Sequence, residues 1–171
     1  MALIMSLRGK TPQLGTNCFT AENATIVGDV VCGANCSIWF NAVIRGDVHE
    51  IRIGDNTNIQ DGVIIHCTYE TAPTHIGSNV SIGHRAIVHG CTIHDNVLIG
   101  MGAIVMDHAV VPENCIVAAG AVVLENSVLE SGYIYAGVPA KKVKKLSTEA
   151  FDQNIKRIAK NYSMYASWFE E

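Results

Sequence analysis

Three histidines, His66, His84 and His89, fall close together near the middle of the chain, preceded by Arg45, Asp47, Gln60 and Asp61. Three neutral imidazoles suit a divalent cation such as Zn2+, Fe2+ or Co2+, and three protein ligands plus solvent is the catalytic rather than the structural zinc pattern. One histidine alone could instead serve as the general base of an acyl transfer. The choice depends on whether the fold can bring three imidazoles to one point. His49, His75, His94 and His108 show no comparable arrangement and read as surface residues.

The elements that must position these side chains follow from an internal repeat. An aliphatic-x-x-Asn tetrad recurs as Leu14-Gly15-Thr16-Asn17, Ile53-Gly54-Asp55-Asn56, Ile76-Gly77-Ser78-Asn79, Ile93-His94-Asp95-Asn96 and Val111-Pro112-Glu113-Asn114, with Cys32-Gly33-Ala34-Asn35 as a variant. From Leu14 the spacings are 18, 21, 23, 17 and 18 residues. That is three hexads per coil with two insertions, near residues 46–52 and 67–75. Single aliphatics step by six between them: Ile26, Cys32, Ile38 and Ile44, then Ile53, Ile59 and Ile65, then Ile76, Ile82 and Val88, then Ile93 through Val123. An α-helix would smear such a period around its surface. A short strand followed by a corner accommodates it, and Gly, Asn and Asp supply the backbone freedom the corners need. The chain therefore reads as an all-β parallel β-helix of hexapeptide repeats with a C-terminal α-helix. An N-terminal segment covers 1–13, the β-helix 14–140 and the amphipathic helix 141–171. Ser147 offers the N-cap of that helix, and Phe151, Ile155, Ile158, Tyr162, Tyr165 and Phe169 form its apolar stripe. Lys141, Lys142, Lys144 and Lys145 read as a solvated face of it.

The register places the histidines. Each coil has three faces, led inward by Ile53, Ile76 and Ile93 (face one), Ile59, Ile82 and Ile99 (face two), and Ile65, Val88 and Val105 (face three). His66 and His89 follow inward residues of face three, so they point outward one coil apart, ~4.8 Å between backbones. Arg45 lies below His66 in the same column. His84 belongs to face two, and outward vectors from two faces of a prism diverge. A threefold homo-oligomer resolves this if face three of one subunit meets face two of the next, since closed rings follow from one heterologous contact. Both insertions follow face three, so their loops leave the same edge.

Composition narrows the partners. The net charge of −4 gives no electrostatic reason to expect nucleic acid. No apolar run is long enough to span a bilayer, and the stretch before Arg8 and Lys10 is too short for a signal peptide. Six cysteines without Cys-x-x-Cys pairing read as reduced thiols, mostly buried, in a cytoplasmic protein.

The segments Val43-Ile44-Arg45-Gly46-Asp47, Asn58 through His66 and Gly83 through Gly90 resemble the γ-class carbonic anhydrase family, and Ala136-Gly137-Val138-Pro139-Ala140-Lys141 is similar to the ending of hexapeptide-repeat proteins at large. The resemblance covers roughly residues 10 to 145. It implies a trimer of left-handed β-helices with metal, zinc foremost, held between subunits by His66, His84 and His89. It implies ion-pair roles for Arg45, Asp47 and Asp61, and Gln60 as the partner that orients solvent. The implied reaction is reversible hydration of CO2 to bicarbonate. Two positions depart from the archetype: Val48 stands where a proton-shuttling Glu would follow the Asp, and Tyr69, beside Glu70, replaces a second Glu. Glu70, His49 or Glu50 could take over the proton. A coenzyme A-dependent acyltransferase and a non-catalytic metal-holding scaffold are the alternative readings.

Overall fold

Aliphatic side chains at the six-residue step all turn inward, and this alone builds the prism. In the computed structural model, which describes residues 1–169, the nine residues that lead the three faces of the middle coils are each at most 4% exposed. They stack in parallel register: Ile53 on Ile76 on Ile93, Ile59 on Ile82 on Ile99, Ile65 on Val88 on Val105. Burying one such side chain stabilises the fold by about 1.5–3 kcal/mol relative to leaving it in water.

Face two is a run of short strands from Phe19–Thr20 through Ser37–Ile38, Asn58–Ile59, Ser81–Ile82 and Leu98–Ile99 to Ile116–Val117 and Tyr133–Ala136. Face three includes Ile64–His66, Ile87–His89, Ile104–Val105 and Val122–Val123. Two longer strands, Thr25–Cys32 and Val43–Ile53, run from face three round to face one without a sharp corner. Face one continues with Thr74–Ile76, Thr92–Ile93 and Val110–Val111.

The corner between faces one and two is the most regular. Asn17, Asn35, Asn56, Asn79, Asn96 and Asn114 all take φ between 54° and 58° there, a left-handed conformation that Asn tolerates better than most side chains. The glycine two residues earlier has a different reason. A Cβ on Gly77 would lie 2.3 Å from Asp95 Oδ1, because that carboxylate reaches down to accept the Ser78 amide at 2.7 Å.

The edge between faces three and one is where the chain makes excursions. Leu7 and Lys10 close a small hairpin, Val43–Ile53 sweeps wide, and Thr68 bridges Ala72 around Glu70 at φ 55°. Both ends of the molecule differ from the sequence-based boundaries. Leu3–Met5 pairs in parallel with residues 25–27, so face three begins inside the expected N-terminal segment. Lys141–Lys145 is a strand antiparallel to Tyr133–Ala136 and not the start of the helix. The turn around Pro139 reverses the chain, and five exposed residues with lysine on both sides of Val143 carry no 3.6-residue stripe.

The helix proper runs Thr148–Phe151, through a wider turn at Asp152–Lys156, to Arg157–Ser167. Ser147 Oγ accepts the Ala150 amide at 3.1 Å as its N-cap. Its stripe covers the chain's own prism: Ile155 is buried, Tyr162 meets Trp39 at 5.3 Å between ring centroids, and Phe169 lies 5.5 Å from Phe19. Among the described residues no helix is long and apolar enough to cross a membrane.

Candidate metal centre

The strands Ile64–His66 and Ile87–His89 pair residue for residue, which puts His66 directly under His89. Their ring centroids are 5.1 Å apart, and His66 Nδ1 faces His89 Nε2 at 3.1 Å. Thr74, fully buried at the end of the second insertion, ties the two strands together: its hydroxyl donates to the His66 carbonyl and accepts the Gly90 amide.

The far nitrogen of each ring is committed to a carboxylate. His66 Nε2 lies 2.9 Å from Asp47 Oδ1, and His89 Nδ1 is bonded to Asp107. Asp47 is also ion-paired with Arg45, and Asp107 accepts from the Thr68 hydroxyl. Burial pushes both carboxyls upward, but hydrogen bonds from His66 and Arg45 hold Asp47 below its ordinary value. Those from Thr68 and His89 do the same for Asp107. Burial lowers His66, with the Asp47 hydrogen bond opposing it, and the net direction is toward the neutral ring.

These bonds fix the tautomers. An ionised carboxylate only accepts, so His66 carries its proton on Nε2 and His89 on Nδ1. With both rings neutral the two remaining nitrogens would present lone pairs to each other across 3.1 Å, where a cation fits between them. Two nitrogens 2.0–2.1 Å from a tetrahedral ion are about 3.3 Å apart, close to what is found. A carboxylate behind each imidazole is the usual outer shell of a histidine metal ligand. The donor set therefore fits a divalent ion of the zinc type.

His84 stands on face two and belongs to a different neighbourhood. Its Nδ1 lies 2.8 Å from Asp61 Oδ2, and its Nε2 is 3.4 Å from the Tyr162 hydroxyl on the C-terminal helix. Burial raises Tyr162 to about 12, so it stays a phenol. Gln60 is buried one coil below, accepting the His84 amide at 3.2 Å and donating to Asn58 at 3.0 Å. His84 and Gln60 open on a cavity of about 420 Å³ between face two and the helix, walled by Leu98, Met101, Ile116 and Ile158. The chain thus brings together His66, His89, Asp47 and Arg45 on one face and His84, Asp61 and Gln60 on another. Among the described residues of a single chain, no three His, Cys, Asp or Glu side chains group as a metal site.

The three proton-transfer candidates share one cleft of about 450 Å³ with Asp47, formed where the excursions of the third edge meet. Glu50 is engaged there by Arg52 at 2.9 Å and His75 at 3.0 Å, while His49 and Glu70 border the opening. Val48 packs against the core. Sequence reasoning missed Asp107, Thr68 and Thr74, and it placed Tyr162 on the helix without seeing what it would touch. Asp107 had a signal: it directly follows Met106, which the 17-residue step from Val88 to Val105 places one coil above His89.

A parallel prism of hexapeptide coils defines a hexapeptide-repeat protein, and known proteins agree. The bacterial transferase hexapeptide family model matches residues 73–105 and 90–125. A carbonic anhydrase from Geobacillus kaustophilus is 48% identical over 160 residues, covering 94% of this chain and 87% of that one. Protein YrdA of Escherichia coli is 41% identical over 166 residues, covering 94% and 88%. Mitochondrial γ carbonic anhydrase 2 of Arabidopsis thaliana is 41% identical over 164 residues, covering 93% of this chain. The chain spans about 59% of the length of that plant relative. Among solved structures, a Bacillus cereus protein described as an acetyltransferase superposes with a TM-score of 0.94 at 35% identity, covering 98% and 96%. A hexapeptide transferase family protein from Anaplasma phagocytophilum gives 0.92 at 38%, covering 98% of both chains. The chain belongs to the γ-class carbonic anhydrase family.

Proposed function

We propose that this protein catalyses reversible hydration of CO2 at a metal site shared between subunits of a homotrimer, with His66 and His89 from one subunit and His84 from the next. The observation that supports this most is the facing pair of imidazole nitrogens at 3.1 Å, each ring backed by its own aspartate. His84 offers a third ring likewise backed by an aspartate, its Nδ1 held by Asp61 and its Nε2 3.4 Å from the Tyr162 hydroxyl. Such an ion, zinc or alternatively iron or cobalt, would supply Lewis acidity that brings a water's pKa from about 15.7 to about 7.

The chain's own residues do the rest. Asp47, Asp61 and Asp107 each take one ring nitrogen and fix that ring's orientation, leaving the other nitrogen for a metal. Gln60 has a carboxamide hydrogen left over beyond its bond to Asn58 and orients the reacting solvent. Arg45 and Asp61 meet across the subunit boundary. With Val48 partly buried against the core and unable to carry a proton, the proton leaves through the polar cleft beside Asp47, by way of His49 or Glu70.

Acyl transfer is a second reading, favoured by the cavity beside His84, whose volume of about 420 Å³ greatly exceeds a CO2 molecule. Stopped-flow CO2 hydration on protein loaded with zinc, and anaerobically with iron, separates the two when run beside acetyl-coenzyme A turnover on a panel of amines and hydroxyls. Hydration that disappears in His66→Ala supports the first reading. Thioester turnover without hydration supports the second, and neither activity leaves a metal-holding scaffold.

A further inference from the structure

Away from the histidines, two cysteines occupy the same place on successive coils, where the chain leaves the first corner for face two. Phe19 and Ser37, the residues that follow them, are in parallel register. In-register strands lie ~4.8 Å apart, within the Cα separation of about 4.4–6.8 Å that a disulfide spans. The place has a structural duty, which is to cap the glycine carbonyl of the coil above. Cys18 Sγ donates to Gly33 at 3.2 Å, Cys36 Sγ to Gly54 at 3.1 Å, and in the next coil Thr57 Oγ1 to Gly77 at 3.0 Å. A hydroxyl fills that duty as well as a thiol, so capping does not account for sulfur at both lower positions.

The two thiols are also differently poised. Cys18 is half-buried, whereas the other five cysteines are buried. The neighbouring Cys36 side chain, opposed by burial, brings the Cys18 thiol down to about 6, while Cys18 and burial drive Cys36 upward. Cys36, buried, is among the residues lining a cavity of about 310 Å³ beneath Ser163, Ala166 and Ser167 of the helix.

We propose that Cys18 and Cys36 form a peroxide-reactive dithiol, Cys18 attacking and Cys36 resolving. The Cys18 thiolate attacks the terminal oxygen of a hydroperoxide. The S–O bond forms as the O–O bond breaks, and the departing alkoxide or hydroxide takes a proton from solvent. Cys36 then attacks the Cys18 sulfenic sulfur, and hydroxide leaves with the Cys36 proton as water. Two thiols and one hydroperoxide give one disulfide, one alcohol (or water) and one water.

Full-length protein treated with hydrogen peroxide and mapped by mass spectrometry without reduction tests this. The expected product is a single intramolecular Cys18–Cys36 linkage. Cys36→Thr, which copies the residue at position 57, should keep the fold and instead accumulate a Cys18 sulfenic acid trapped by dimedone. The alkylation midpoint of Cys18 should lie below that of an ordinary thiol in the native chain and rise by at least one pH unit in that variant. A disulfide between any other pair would overturn the proposal. So would a Cys18 that alkylates with the midpoint near 8.5 of an ordinary thiol.

Discussion

Two edges of the prism are built on opposite plans. At the corner between faces one and two, six asparagines repeat one conformation, coil after coil, and each coil caps the next. At the edge between faces three and one the coils differ from one another, and there the hairpin, the two insertions, and the pairs Asp47–His66 and Asp107–His89 are found. The regular edge satisfies backbone geometry locally and carries neither of those histidine–aspartate pairs. The irregular edge spends extra residues to reach between coils: Thr68 grips Asp107, and Thr74 clamps both histidine strands. The regular corner and the His66–His89 pair are therefore separable by edge.

The largest effect expected from breaking this division comes from the core that both edges share. Ile82→Ala removes a fully buried side chain and should cost about 2–5 kcal/mol in urea unfolding, with no preference for one edge. Asp107→Ala should weaken metal affinity about 10–100-fold, read by competition with a chromogenic chelator. The unfolding midpoint of its metal-free form should fall much less than that of Ile82→Ala. At the regular edge, Asn79→Ala forces an ordinary side chain to φ 57° and should cost about 1–2 kcal/mol, whereas Asn79→Gly should cost only tenths and neither should alter metal affinity. Lys142→Ala should leave the unfolding midpoint unchanged although Lys142 is paired with Glu130, because that pair is open to solvent.

What the sequence made legible follows the same division. A period of six in aliphatic residues and a tetrad ending in Asn were enough to give the faces, the corners and the stacking of His66 under His89, because each depends on nearest neighbours one coil away. Leu3–Met5 escaped because it precedes the first Asn tetrad, although Ile4 pairs in register with Ile26. Lys141–Lys145 escaped because neither a period of two nor one of 3.6 is visible in it. Tyr162 meets His84 across 78 residues of sequence, through a docking of helix on prism that no local pattern specifies. Asp107 could have been found beside Met106 by carrying the 17-residue step one coil beyond His89. Arg45, Asp47, Gln60 and Asp61 were named in advance, and the structure gives Asp47 and Asp61 one histidine partner each.

Metal content of mixed oligomers tests most directly whether the three imidazoles converge between subunits. His66→Ala and His84→Ala chains, each metal-free alone, would be co-refolded in equal amounts. An interface pairing face three of a His84→Ala chain with face two of a His66→Ala chain has all three rings intact, so random mixing in a closed ring should restore about one quarter of the wild-type metal. If the mixture stays as empty as its parents, while wild-type chains refolded alongside bind metal in full, the ligands do not come from two chains and the shared site is contradicted.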